Sequence, residues 1–322
     1  MLRLVIVNYK TAGMVVDCLR SLDAERARGV ELDVALVDNA SPDDSVTMLR
    51  AAIERHGWAG WIRLIESGRN GGFGAGNNVG VRAIQDALRP GDWVLFLNPD
   101  TVVPAGALRA VCAAAEGRPR VGVIGARLVD EAGGTQLAGH PAMTPMRELG
   151  RASGLGLVRR AQGLDPAPKP PTQVGWVTGA AMCVRAEVLR EVGEFDEGFF
   201  LYFEEVDLCR RASNAGWEVW LAENPPIVHR EGAATGLNAT RTRRAPYWFA
   251  SRRRYFLKHH GVAGLVAADV AWAVGRGLAW GKSLARGRRA PRLPAAFGWD
   301  LLAGDLRALL TGRGRVVPGA SA

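Results

Sequence analysis

Short, continuously apolar runs alternate with longer helical patterns over the first hundred residues, and this alternation restricts the fold more than any other feature. Residues 2–7, 32–37, 61–66 and 93–97 read as strands, and residues 12–22, 45–56 and 76–88 as helices. Strands that are apolar on both faces need cover on both faces. The expectation is therefore an α/β class, with a mostly parallel, Rossmann-like sheet flanked by helices. Ligands of such sheets bind beyond the carboxyl ends of the strands. Those ends carry the polar residues: Asn8-Tyr9, Asp38-Asn39-Ala40-Ser41, Ser67-Gly68-Arg69-Asn70 and Asn98-Pro99-Asp100. Polar tips delivered to one edge predict a site.

Later in the chain the pattern changes. Residues 140–172 dissolve into Pro, Gly and Arg, which reads as a long loop with room for a short helix, placed where a lid or acceptor-side flap would be. Residues 174–184 and 218–221 read as further strands. After about residue 236 the chain is helical, arginine-rich and tryptophan-bearing, with a disordered tail expected from residue 311.

Three acids, Glu204, Glu205 and Asp207, follow the aromatic run Phe199-Phe200-Leu201-Tyr202-Phe203 and precede Arg210-Arg211. Burial of the aromatics brings these carboxylates to the edge of a core. Crowding there favours a raised pKa in at least one of them, suited to accepting a proton. A plain helix start accounts for the same residues, with acids in the first turn, arginines in the last and Gly216 as terminator.

Asp100 follows an apolar strand directly, where a carboxylate can hold a hard divalent cation that clamps a diphosphate. An Asn-Pro-Asp turn capping its own backbone is the plainer alternative. The segment Arg69-Asn70-Gly71-Gly72-Phe73-Gly74-Ala75-Gly76-Asn77-Asn78 reads as a glycine-rich loop running into a helix, open to close backbone approach and to anions. It lacks the dinucleotide fingerprint and a Walker lysine, and a tight structural turn is its alternative. His229 follows Pro225-Pro226-Ile227-Val228. Paired with Asp100 it would give a mixed oxygen and nitrogen shell suited to Mn²⁺ or Mg²⁺.

Five pieces, in order, resemble the inverting family-2 glycosyltransferases with a GT-A fold: Val5-Ile6-Val7-Asn8-Tyr9, Val37-Asp38-Asn39-Ala40-Ser41, Asn70-Gly71-Gly72-Phe73, Leu97-Asn98-Pro99-Asp100, and Trp176-Val177-Thr178-Gly179-Ala180 continuing into 199–211. Within that family the chain is most similar to the bacterial rhamnosyltransferase branch. The resemblance implies that Asn8, Tyr9, Asp38 and Asn39 line a nucleoside pocket, and that Asn70, Gly71, Gly72 and Phe73 pack along the nucleotide and diphosphate. It implies a metal on Asp100 and His229, with Asn98 standing where the family more often has aspartate. Trp176, Thr178, Gly179 and Ala180 would shape the sugar and acceptor cleft together with Glu204 and Asp207, and Glu205 would be the catalytic base. The donor implied is a nucleotide-diphosphate sugar, dTDP-L-rhamnose first and UDP-galactose or UDP-N-acetylglucosamine otherwise. The acceptor would be a lipid-linked or cell-envelope glycan. On this reading residues 1–236 form the catalytic domain, with a donor half (1–125) and an acceptor half (126–236), followed by a basic helical region (237–310) and a tail (311–322).

Charge bears on partners. The net +9 is concentrated at Arg241, Arg243, Arg244, Arg252, Arg253, Arg254, Lys258, Arg276, Lys282, Arg286, Arg288 and Arg289. Trp248, Tyr255, Phe256, Trp272 and Trp280 interleave with them, which favours an anionic membrane surface over nucleic acid, for which no module is visible. No apolar run reaches spanning length; residues 262–274 are too few and include Asp269. The first residues read as a strand, not a signal peptide, and the four cysteines lack metal-ligand spacing. A cytoplasmic protein, peripheral on the inner membrane face, is expected. Two rivals remain: a nucleotidyltransferase, which would place its glycine loop after the first strand, and a carbohydrate-binding homologue without catalysis.

Overall fold

A computed structural model describes residues 2–164, 168–230, 243–288 and 292–312. The chain divides into two units: Met1–His140, Pro168–Phe200 and Glu204–Gly236 in the first, and Pro141–Ala167, Leu201–Phe203 and Leu237–Ala322 in the second.

All described strands lie in the first unit. In chain order they are β1 (Leu2–Asn8), β2 (Leu32–Asp38), β3 (Ile62–Glu66), β4 (Trp93–Leu97), β5 (Thr101–Val102), β6 (Val121–Gly125) and β7 (Leu128–Val129). There follow β8 (Thr135–Gln136), β9 (Gly139–His140), β10 (Thr172–Gln173), β11 (Trp176–Val177), β12 (Ala181–Arg185), β13 (Glu218–Leu221) and β14 (Ile227–His229). Helices α1 (Ala12–Arg26), α2 (Ser45–Arg55), α3 (Phe73–Ile84) and α4 (Ala107–Ala113) belong to the first unit, and α5 (Arg147–Ser153) and α6 (Gly156–Ala161) to the second. Helices α7 (Ala186–Val192) and α8 (Glu204–Asn214) return to the first unit, and α9 (Pro246–Ala285) and α10 (Phe297–Leu310) to the second.

The main sheet has eight strands in the order β10-β13-β6-β12-β4-β1-β2-β3. Strands β1 to β4 pair in parallel, while β12 runs antiparallel to both β4 and β6. Every residue of β1 is buried. Leu4 and Ile6 face a core with Val15 and Leu19 of α1 and Leu49 of α2, whereas Val5 joins Val81 and Ile84 of α3 and Leu208 of α8 on the other side. Period-two alternation thus feeds two cores from one strand, and each fully buried aliphatic side chain contributes roughly 1.5–3 kcal/mol. This is the α/β sheet that the apolar runs predict.

The glycine-rich segment departs from expectation. Helix α3 begins at Phe73, so most of the segment is helix and not loop. A Cβ on Gly80 would lie 2.3 Å from Val5 Cγ1, so this glycine lets α3 settle against β1 and serves packing, not a ligand. Residues 140–172, read as a long loop with room for a short helix, hold two short helices, α5 and α6. The single strand expected over 174–184 is broken into β11 and β12 by Thr178-Gly179-Ala180.

In the second unit, Phe249, Phe297 and Leu301 form a small core with Trp248, Trp272 and Leu293. Arg252 is buried and bonds to Glu148, Asp269 and Asp305, while Arg253 bonds to Asp305 at 2.6 Å. Burial, then the neighbouring Asp269, pushes the Asp305 carboxyl up to about 6, against the pull of the two arginines. The expected basic face is corrected accordingly: Arg252 and Arg253 are spent on ion pairs, Arg243 pairs with Asp300, and Arg241 and Arg289 lie outside the described residues. The aromatics expected at a membrane surface are corrected too, since Tyr255 and Phe256 are buried, Trp248 and Trp272 pack on Phe297, and only Trp280 of that set is exposed. Finally, α9 is long and apolar enough to cross a membrane by length and composition. The sequence holds no uninterrupted apolar run of that length, but the helical stretch that follows the kink at Gly261 is apolar despite an occasional charge. The tail expected from residue 311 lies outside the described residues from 313 onward.

Candidate functional site

Every candidate residue named from sequence falls in the first unit. The parallel strands β1, β2 and β4 end at one edge of the sheet, and their tips are held by side-chain hydrogen bonds. Asn8 is fully buried. Its amide nitrogen donates to Asp38 Oδ2 at 2.7 Å and its carbonyl accepts from Thr11 N and Thr11 Oγ1. Asp38 also accepts from Ser41 N at 2.9 Å and Ser41 Oγ at 2.7 Å. Asn8 is thus a brace for Asp38, and Tyr9 is the exposed member of the pair. Asn39 is buried and donates to Asn70 Oδ1 and to the Gly72 carbonyl, which ties the β2 tip to the turn before α3.

That turn is tied in its turn to the segment leading into the acids. Gly72 has φ +91°, and a Cβ there would lie 1.8 Å from the Phe200 carbonyl oxygen. The amide of Phe73 donates to that same oxygen at 2.9 Å. Asn78 of α3 closes a second clamp, donating to Phe195 O and accepting from Phe195 N. Arg69 and Arg82 both reach Glu197. Gly72→Ala is expected to lose about 1–3 kcal/mol from its backbone conformation alone, before the collision is counted. Chemical denaturation of the variant checks this, and wild-type stability would refute the clamp.

The acids at the start of α8 are unequal. Glu204 and Asp207 are buried, and Asp207 accepts from Arg211 Nε at 2.8 Å. Arg211 in turn donates to the carbonyls of Gly193 and Glu194, so the Asp207 pair fastens α8 to the end of α7. Glu205 alone of the three is only partly buried, although its Oε2 is itself shielded from solvent. A Cβ on Gly179 would stand 3.3 Å from the Phe73 ring and 3.8 Å from Glu205 Cβ, so Gly179, Phe73 and Glu205 converge. Ala180 is buried, and its carbonyl accepts from Asn98 N at 2.8 Å. The amide of Thr178 donates to Ala138 O. Trp176 stacks on His140 with ring centroids 3.9 Å apart.

Asp100 and His229 come together as expected. Antiparallel pairing of β14 with β5 sets His229 opposite Thr101, one residue beyond Asp100. His229 Nε2 lies 3.5 Å from Asp100 Oδ1 and 3.4 Å from Asn98 Nδ2. On the far side of the ring, His229 Nδ1 is 2.9 Å from Gln136 Oε1, and Gln136 Nε2 donates to the His229 carbonyl. A proton on Nδ1, donated to Gln136, leaves the Nε2 lone pair directed to the Asp100 side. Carboxylate oxygen, amide and imidazole within one cluster, with the ring oriented from behind, are the donor types that a hard divalent cation takes. No group of three or more His, Cys, Asp or Glu side chains suited to a metal occurs among the described residues. Gln136 was not found from sequence. It sits in a two-residue strand that no periodicity marks. Ser41 belongs to the Val37-Asp38-Asn39-Ala40-Ser41 motif, but no sequence signal marks its grip on Asp38.

A family model described as glycosyltransferase-like family 2 matches residues 2–256. An N-acetylglucosaminyl-diphospho-decaprenol L-rhamnosyltransferase of Mycobacterium tuberculosis is 31% identical over 253 residues, covering 73% of this chain and 78% of the relative. Among solved structures, a mannosyltransferase from Pyrobaculum calidifontis in complex with GDP-Man and Mn²⁺ aligns with a TM-score of 0.50 at 17% identity, over 96% of this chain and 80% of that one. GalNAc-T7 with UDP, GalNAc and Mn²⁺ aligns with a TM-score of 0.59 at 12% identity, over 96% of this chain and 57% of that one. At such identities the likeness shows the fold alone.

Proposed function

The chain belongs to glycosyltransferase-like family 2, and from that premise we propose that it moves L-rhamnose from dTDP-L-rhamnose, with inversion, to a hydroxyl of a lipid-linked glycan. Glycosyl transfer on a GT-A-type fold follows from the family and the fold. The donor and acceptor are the reading favoured by the mycobacterial relative's activity. The observation that carries the chemistry is the inequality of the three acids: Asp207 is tied to Arg211, Glu204 is buried, and Glu205, beside Gly179, is the one that is only partly buried.

In the reaction proposed, the acceptor oxygen forms a bond to the anomeric carbon as the bond from that carbon to the diphosphate oxygen breaks. Glu205 takes the proton from the acceptor hydroxyl. Asp38, held by Asn8 and Ser41, would accept from the base or ribose, and the braced turn at Asn70-Gly71-Gly72-Phe73 would border the diphosphate. Asp100 and His229, with Asn98 beside them, would hold Mn²⁺ or Mg²⁺, which when bound supplies positive charge to the leaving diphosphate. Residues 1–236 would carry this chemistry, with the protein on the inner face of the membrane where a lipid-linked acceptor is found.

Calorimetric titration of dTDP-rhamnose, UDP-galactose, UDP-N-acetylglucosamine and GDP-mannose, each with Mn²⁺ and with EDTA, tests the donor. Metal-dependent binding of dTDP-rhamnose is expected. Preference for a UDP-sugar would replace the donor, and binding of none of them by folded protein would sink the reading. A finer prediction concerns Gln136. Replacing a residue that orients a metal-ligating histidine costs about 10–100-fold in metal affinity, so Gln136→Leu should weaken Mn²⁺ binding by that factor with the fold intact. Unchanged Mn²⁺ affinity by calorimetry would remove Gln136 from that role.

A further inference from the structure

From Gly261, where φ is +66° and the helix kinks, to its end at Ala285, α9 is apolar nearly all round. One side packs on its own unit through Leu265, Ala268, Gly275 and Ala279, which are buried. The other side is bare: Val262, Val266, Val270, Val274, Leu278 and Trp280 are exposed, Trp280 to 63%. Val262, Val266, Val270, Val274 and Leu278 recur at every fourth residue and form one slowly turning stripe about 24 Å long, and Trp280 lies within the same exposed half of the helix. Only 28% of the most apolar stretch of α9 is buried. The charged residues between 261 and 281 are Asp269, bonded to Arg252, and Arg276, and neither is more than partly exposed. Helix α10 adds exposed Trp299 and Leu306. A helix that is apolar all round requires cover all round, and protein covers one side only.

Charge identifies the cover. Beyond the stripe come Lys282, Arg286, Arg288 and Arg292, and no carboxylate occurs between residues 270 and 299. A second copy of the same surface would bring cations without acids to meet them. An anionic lipid surface offers acyl chains to the stripe and phosphates to the cations, with tryptophan at the boundary. We infer that the exposed face of 261–285, together with α10, lies in the membrane interface and is buried in the acyl region, while the basic residues after it contact anionic headgroups. This deepens the peripheral location proposed above and rests on it, but it moves the contact. The membrane is met by valines and leucines of the helix, not by Arg243, Arg252 and Arg253 upstream of the kink, which are engaged in ion pairs.

The test uses full-length protein and vesicles of phosphatidylcholine containing a minority of phosphatidylglycerol. Wild-type protein should float with these vesicles and stay largely bound at about 0.5 M NaCl, where headgroup attraction is screened. An environment-sensitive dye on Leu278→Cys should shift to the blue on binding. The double variant Val270→Asp with Leu278→Asp should reduce the bound fraction roughly tenfold or more, because charges then face the acyl region. Its melting temperature and donor affinity should match wild type. Release by salt with the dye still in water would overturn insertion and leave only surface attraction. A dimer split by the double variant, with no vesicle binding, would make a second copy the occupant; a monomer that ignores vesicles would overturn the inference outright. Donor binding is read separately, so loss of the glycosyltransferase reading leaves this result standing on its own.

Discussion

Glu205→Gln should fold as wild type, bind donor as wild type, and transfer sugar about two to four orders of magnitude more slowly, the usual contribution of a positioned general base. The amide has the shape of the acid and cannot take a proton, so the variant separates chemistry from packing. Its neighbours make the contrast sharp. Asp207 is fully buried and its carboxylate anchors Arg211, which in turn holds the carbonyls that end α7. A change there should register as lost stability before it registers as lost chemistry, because it takes the buried carboxylate away from a partly buried arginine. Glu204 is buried behind Gly74, where a Cβ would stand 3.6 Å from Glu204 Cβ. Both are buried, whereas Glu205 is only partly so and stands beside Gly179. Single-turnover rates with saturating donor, read together with thermal melts, decide the matter. Near-normal rates in Glu205→Gln would take the base away from this residue, and a low melting temperature would take the assay away from chemistry.

The parts legible in the sequence are those in which one residue type has one physical use. Valine and leucine runs of five to seven residues covered on both faces could only be interior strands, and β1, β2 and β4 appear where those runs lie. The polar tips were legible because a buried sheet leaves polar residues only its ends. Glycine was harder to read, because the same residue serves three purposes. In one segment Gly72 supplies a left-handed turn, Gly80 lets a helix touch a strand, and Gly179, a hundred residues on, leaves space beside an acid. Composition cannot divide those uses. Arginine misled in a similar way. Its count suggested a charged face, yet Arg252 and Arg253 sit among Glu148, Asp269 and Asp305, and partners distant in sequence cannot be seen in it. The exposed stripe of α9 was hidden for a related reason, since only packing shows which side of an all-apolar helix is left bare.

Loss of Asp100 should abolish the metal dependence of donor binding. Altering a residue that merely orients a ligand costs about 10–100-fold in metal affinity, and Asp100→Ala, which removes the oxygen itself, should exceed the upper end of that range. His229→Ala should do nearly the same. The two side chains approach within 3.5 Å, and Asp100 is buried, so any cation bound there must meet both. The expected ordering, with Asp100→Ala and His229→Ala severe and Gln136→Leu intermediate, follows from the chain of contacts in which Gln136 holds the imidazole and the imidazole faces the carboxylate. Mn²⁺ titration followed by electron paramagnetic resonance, with and without nucleoside diphosphate, reads this without any turnover. If Asp100→Ala bound Mn²⁺ as wild type does, the pair would be a polar contact bracing β14 against β5, and a divalent cation would need a different seat. A stable Asp100→Asn variant guards the result, because it keeps the volume of the buried side chain while replacing the charged oxygen that a hard cation prefers.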